Sequence, residues 1–86
     1  MIVRRGSTVA FVEVKTRVAG ASADAGLDAR EAVHPGKQRQ IARAAAEWWQ
    51  RHSRDGWSLR FDVVAVVIDG DDVTIEHIEA AFESPL

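Results

Sequence analysis

Residues 59–68, LRFDVVAVVI, form the longest β-branched run in the chain, and a second strand-like run, Thr8–Arg17, lies far upstream of it. Between them sits a helical pattern, PGKQRQIARAAAEWWQRHS, with a proline where a helix prefers one and RDG to end it. A connection of that length carrying a helix lets two strands pair in parallel. The short arm Ile2–Arg5 joins the first run through Gly6, and DGDD at residues 69–72 turns the second run back into Val73–His77. Both read as hairpins. The spacing therefore predicts an α/β domain spanning residues 1–86: a small mixed sheet of about four strands packed by one main helix. A loop is expected at 18–27, a short helical turn at 28–33, and another turn of helix in the tail IEAAFESPL.

No apolar run approaches the length needed to cross a bilayer, and no secretory leader pattern opens the chain. The absence of cysteine excludes disulfides and thiolate metal sites and fits a reducing cytoplasm. The net charge of −2 conceals an asymmetry. All 11 Lys and Arg lie in residues 1–60 beside six acids, giving +5, while residues 61–86 hold seven acids and no Lys or Arg, giving −7. Such a division suits a polyanion-binding face beside an acidic one, or a chain that neutralises itself on folding.

The stretch FVEVKTR is unusual for a strand. Alternation places Val9, Phe11, Glu13, Lys15 and Arg17 on one face, and Ala10, Val12, Val14 and Thr16 on the other. The second set is apolar up to Thr16 and is expected to pack on the helix. The first set starts apolar and becomes charged, as in a strand running out into a polar cleft. Glu13 and Lys15 aim at one point: the carboxylate, with the Val14 carbonyl nearby, suits a hard cation, and the ammonium suits a phosphate accumulating charge. An ion pair across one strand face is the structural alternative.

Four blocks, VAFVEVKTR, EAVHPGKQRQIARAA, RFDVVAV and IEHIEAAF, resemble in order and spacing the YraN-like family of small bacterial proteins. FVEVKTR also resembles the E-x-K half-motif of the PD-(D/E)xK, or restriction-endonuclease-like, nucleases. The resemblance implies a restriction-endonuclease-like core. It further implies Mg²⁺- or Mn²⁺-dependent cleavage of DNA, branched or single-stranded, with Glu13 and Lys15 catalytic and Glu13 and Val14 holding the metal. Family members carry an N-terminal helix and a strand reading like G-E-I-D-L-I. Here Ile2 and Val3 would end that strand and its Asp would precede Met1. A shortened domain is expected on this reading, with weak metal binding and little or no cleavage. The alternative is a non-catalytic nucleic-acid-binding or protein-interaction module. Without that strand and helix, the Val9 and Phe11 face would lack apolar cover, so a homodimer is expected.

On the helix, Ile41, Ala44, Ala45, Trp48 and His52 form the predicted inward stripe, and Arg39, Arg43, Gln50 and Arg54 a basic outer face suited to phosphates or to water. Related nucleases bring a helix Gln or Lys toward the metal, which makes Lys37 and Gln38 candidates, with Arg17, for nucleic-acid contact. Trp48 reads as core; Trp57 can stack on a base or cover the sheet. Asp62 interrupts its strand either as a partner of Arg60 or as support for the metal site. Asp69, Asp71 and Asp72 lack the rest of a calcium-loop pattern, and the three histidines lack zinc spacing.

Overall fold

The computed structural model describes residues 1–19 and 33–84. The loop expected at 18–27 and the helical turn at 28–33 therefore fall largely outside the described residues. Four strands and one helix follow in the order β1 (Ile2–Arg5), β2 (Thr8–Val18), α1 (Pro35–His52), β3 (Ser58–Asp69) and β4 (Asp72–Phe82). The sheet order is β1-β2-β3-β4. β2 and β3 pair in parallel over their length, from Thr8 beside Ser58 to Val18 beside Ile68, and both outer pairings are antiparallel.

Local chemistry sets these boundaries. Gly6 (φ 59°) and Gly70 (φ 60°) each take the first position of a two-residue turn, in the left-handed region a side chain would resist. Pro35 occupies the first turn of α1, where its missing N–H costs nothing, and the Nδ1 atom of His34 accepts the Gly36 N–H at 3.0 Å. Arg51 in the last turn brings a positive charge suited to the helix dipole.

The core lies between α1 and the face of the sheet bearing Val9, Phe11 and Phe61, into which Ala42 and Ala45 are pressed. Ile41, Trp48, Trp49, Trp57, Leu59 and Phe82 close its margin. This corrects the expected face: the helix covers Val9 and Phe11, not Ala10, Val12 and Val14. The reason is size. Phe11 meets Trp48 edge-on at 5.6 Å between centroids, and Phe61 stacks on Phe82 at 5.1 Å. Two alanines facing those rings let the backbone come close, and burying rings releases more apolar area than burying valines. The inward stripe is rotated accordingly: Ala44 is exposed, and Trp49 is in the core margin.

The tail is strand, not a helical turn. β4 runs to Phe82, with Val63 beside Ile78 but Phe61 beside Phe82, so residues 79–81 bulge opposite Asp62. The bulge puts both Ile78 and Phe82 on the helix side, and Ala80 within it takes φ 51°. The other face of the sheet has no described element over it. Val14, Val18, Val73 and Ile75 there are 47, 56, 60 and 68% exposed. Among the described residues no helix is long and apolar enough to cross a membrane.

Candidate metal and nucleic-acid site

Glu13 and Lys15 lie on the helix-bearing face of β2, just beyond the Phe11 side chain that anchors the core. Glu13 Oε1 sits 3.8 Å from Lys15 Nζ, and the side chains are 21% and 35% exposed respectively. Both heads are thus held by a buried strand yet reachable from solvent. In register they sit beside Val63 and Ala65 of β3, so nothing charged on the neighbouring strand competes for either. Arg17 continues the row one step further along the same face.

The Val14 carbonyl follows from backbone parity. Met1 and Val12 exchange hydrogen bonds, 2.8 Å from Val12 N–H to Met1 O and 3.2 Å from the Met1 amine to Val12 O. Val12 therefore points its backbone groups toward β1, and Val14, two residues on, points its own the same way. No described residue pairs with it there. The carbonyl between Glu13 and Lys15 faces an edge of the sheet that no described strand covers. Beside it, a hollow of about 260 Å³ opens between the start of β1 and the helix, walled by Ile2, Phe11, Ile41 and Ala44 with Glu13 as its charged wall.

The helix candidates divide. Lys37 is exposed and lies four and seven residues before Ile41 and Ala44, on the helix edge that borders this hollow. Gln38 is engaged, its Nε2 donating to the Val33 carbonyl at 2.9 Å and so closing the first turn. Arg39 and Arg43 are exposed on the outward side of α1. A helix about 10 Å across separates them from the Glu13–Lys15 face, so they are not part of that site. Trp57 packs on the core margin, with the Arg4 guanidinium 5.0 Å from its ring centre.

Asp62 is on the other side of the sheet. It pairs in register with Val12, whose side chain opposes that of Glu13, and it is fully buried. Its carboxylate accepts from Arg60 Nε and Nη2 at 2.8 and 2.9 Å and from the Ala80 N–H at 3.0 Å, and His77 Nε2 lies 2.8 Å away. Burial alone would raise its pKa; the Arg60 fork, the Ala80 amide and His77 outweigh burial and hold it below the usual carboxylate range. Asp62 thus cannot support a metal at Glu13. It fastens β3 to the bulge of β4, and the same pairing holds Arg60 above its ordinary pKa. His77 belongs to this cluster too, and is not among the residues expected there. The two-residue turn at Gly70 carried the signal, because it mirrors His77 onto Val64, one step past Asp62 on the same face.

Asp69, Asp71 and Asp72 form the turn expected of them, and among the described residues no three His, Cys, Asp or Glu side chains converge on a metal site.

The sequence profile of the uncharacterised protein family UPF0102 matches residues 1–66. A UPF0102 protein of Geobacter metallireducens is 41% identical over 83 residues, covering 96% of this chain and 65% of the relative. One from Geobacter sulfurreducens is 45% identical over 84 residues, covering 96% and 62%. Another, from Rhodococcus opacus, is 43% identical over 83 residues, covering 95% and 67%. The chain thus spans about three-fifths to two-thirds of the length of these curated relatives.

Proposed function

The chain belongs to the uncharacterised protein family UPF0102, the YraN-like family its four sequence blocks resemble, and on that premise we propose a metal-dependent, endonuclease-type domain for DNA. Branched or single-stranded DNA is the substrate class, and the reducing cytoplasm is the place of action. The observation that carries this reading is the row Glu13, Lys15, Arg17, presented half-exposed on β2 beside a Val14 carbonyl that no described residue pairs with.

The donors fit a hard cation. A carboxylate and a peptide carbonyl are both oxygen ligands, and Mg²⁺ or Mn²⁺ accepts one or two carboxylates with water and phosphate completing the shell. When bound, the ion supplies Lewis-acid polarisation of the phosphoryl group and a more acidic water. Glu13 and Val14 would hold it. Lys15, 3.8 Å from Glu13, balances negative charge gathering on the phosphate in the transition state. Arg17 and Lys37 border the same cleft and bind the flanking phosphates, while Arg39 and Arg43 engage backbone further along. Among the described residues Glu13 is the one carboxylate beside the Val14 carbonyl, and one carboxylate grips Mg²⁺ weakly, so we expect this 86-residue chain to bind DNA and cleave it little or not at all. That single carboxylate among the described residues equally favours the second reading, a module that binds nucleic acid or protein without chemistry.

Plasmid, junction and single-stranded DNA, incubated with the chain in Mg²⁺ or Mn²⁺, test both. The expected result is salt-sensitive binding, weakened by Lys15→Ala and Arg17→Ala, without turnover. Robust cleavage lost in Glu13→Gln would overturn the expected inactivity. No binding to any DNA at low salt would remove the nucleic-acid reading in favour of a protein partner.

A further inference from the structure

Strand register sorts the charges of the sheet by flank. On the helix-bearing face, β1 and β2 carry Arg4, Lys15 and Arg17 with one acid, Glu13. On the same face β3 and β4 carry Asp69, Asp72 and Glu76 with no Lys or Arg. Helix α1 lies over the middle of that face, on Phe11 of β2 and Phe61 of β3. The face is therefore basic on the β1 side of the helix and acidic on the β4 side.

Arg4 is the cation of the basic flank that the candidate site does not use. It pairs in register with Val9, six residues before Lys15 on β2 and on the same side of the sheet. At about 3.3 Å per residue, the two positions stand roughly 20 Å apart. The guanidinium is held in place: Nη1 donates to the Gly6 carbonyl at 2.8 Å, and the group lies 5.0 Å from the Trp57 ring centre. It is exposed, and among the described residues no carboxylate pairs with it. A steadied guanidinium without an acid beside it is suited to a phosphate. Between Arg4 and Lys15 the flank is apolar and open, where Ile2 and Ala44 border the hollow beside Glu13.

We propose that Arg4 is a further phosphate contact, and that a nucleic-acid strand held at Lys15 runs along the β1 side of α1 to reach it. This path presupposes the nucleic-acid binding proposed above and gives it a direction. The β4 side would set Asp72 and Glu76 beneath the phosphates, which repels a polyanion. Arg5, the next residue, pairs with Thr8 on the opposite face of the sheet and lies off the path.

Fluorescence anisotropy of a labelled single-stranded oligonucleotide, titrated with the 86-residue chain over a salt series, tests the path. Arg4→Gln keeps a stem over Trp57 and removes the charge. It should reduce the slope of log affinity against log salt by about 0.7, which is roughly eightfold weaker binding near about 50 mM salt. Arg4→Lys should restore most of both. Arg5→Gln removes the same charge one residue away on the other face, and it should leave the slope unchanged, as should Glu76→Gln. Circular dichroism reports folding. Should Arg4→Gln unfold, NMR of the wild type with the oligonucleotide should show shifts at the Arg4 amide and the Trp57 indole and none along β4. An unchanged slope in folded Arg4→Gln, an equal loss in Arg5→Gln, or shifts confined to β4 would overturn the path while leaving the binding itself intact. A wild type that binds no oligonucleotide would remove the binding and the path together.

Discussion

Replacing Asp62 with Ala should destabilise the fold more than any other single polar substitution in the sheet. The carboxylate is fully buried and receives two bonds from Arg60, one from the Ala80 amide and one contact from His77. Its loss leaves the Ala80 N–H without an acceptor, at about 1–3 kcal/mol. It also takes the bidentate partner from Arg60; breaking a buried pair costs about 3–5 kcal/mol, reduced here because Arg60 keeps Glu79 at 3.6 Å, is 31% exposed and can turn to water. A total near ~3 kcal/mol is expected, against a whole-domain stability of roughly 4–13 kcal/mol for a chain this size. Asp62→Asn keeps an acceptor for Ala80 but loses the charge, and about half that cost should remain. Urea denaturation followed by tryptophan fluorescence at pH 7 measures both. pH supplies a second check. The folded-state pKa of Asp62 is lowered, so its contribution is complete above the unfolded value near ~4 and is lost as pH falls through the folded value. The wild type should therefore lose stability more steeply than Asp62→Asn below about pH 4. An Asp62→Ala cost under ~1 kcal/mol at an unchanged denaturant slope would refute the network as the fastening of β4.

Three further outcomes are expected. His34→Ala removes the acceptor for the Gly36 N–H and should lower stability by about 1 kcal/mol, read as a lower urea midpoint, with His34→Asn restoring it. Arg39→Glu with Arg43→Glu should weaken DNA binding alike for all sequences and reduce the slope of log affinity against log salt by about 0.9 for each phosphate no longer neutralised. Trp57→Ala removes the ring under Arg4 and part of the core margin, so a loss of about 2–3 kcal/mol is expected in the same urea assay.

The β2–β3 pairing was legible because it rests on local signals: two β-branched runs, a helix between them, and glycines at both hairpin turns. Glu13 and Lys15 were legible as a pair because strand alternation alone puts them on one face. The face that takes the helix was not. Val9–Phe11 and Val12–Val14 are both apolar, and the choice depends on Phe61 and Phe82 arriving from other strands to stack beside Phe11. The tail misled for a similar reason. IEAAFE has helical composition, and what makes it a strand is the distant carboxylate of Asp62 bonding the Ala80 amide. No local pattern announces an acceptor 18 residues away.

The proposed cation site at Glu13 and the Val14 carbonyl can be located by amide NMR of the chain titrated with Mn²⁺, whose paramagnetism broadens nearby signals. Broadening should centre on Glu13, Val14 and Lys15, vanish in Glu13→Gln and persist in Asp62→Asn. Broadening that centres instead on the Asp69–Asp72 turn, or survives Glu13→Gln at residues 13–15, would rule out Glu13 and Val14 as the cation ligands.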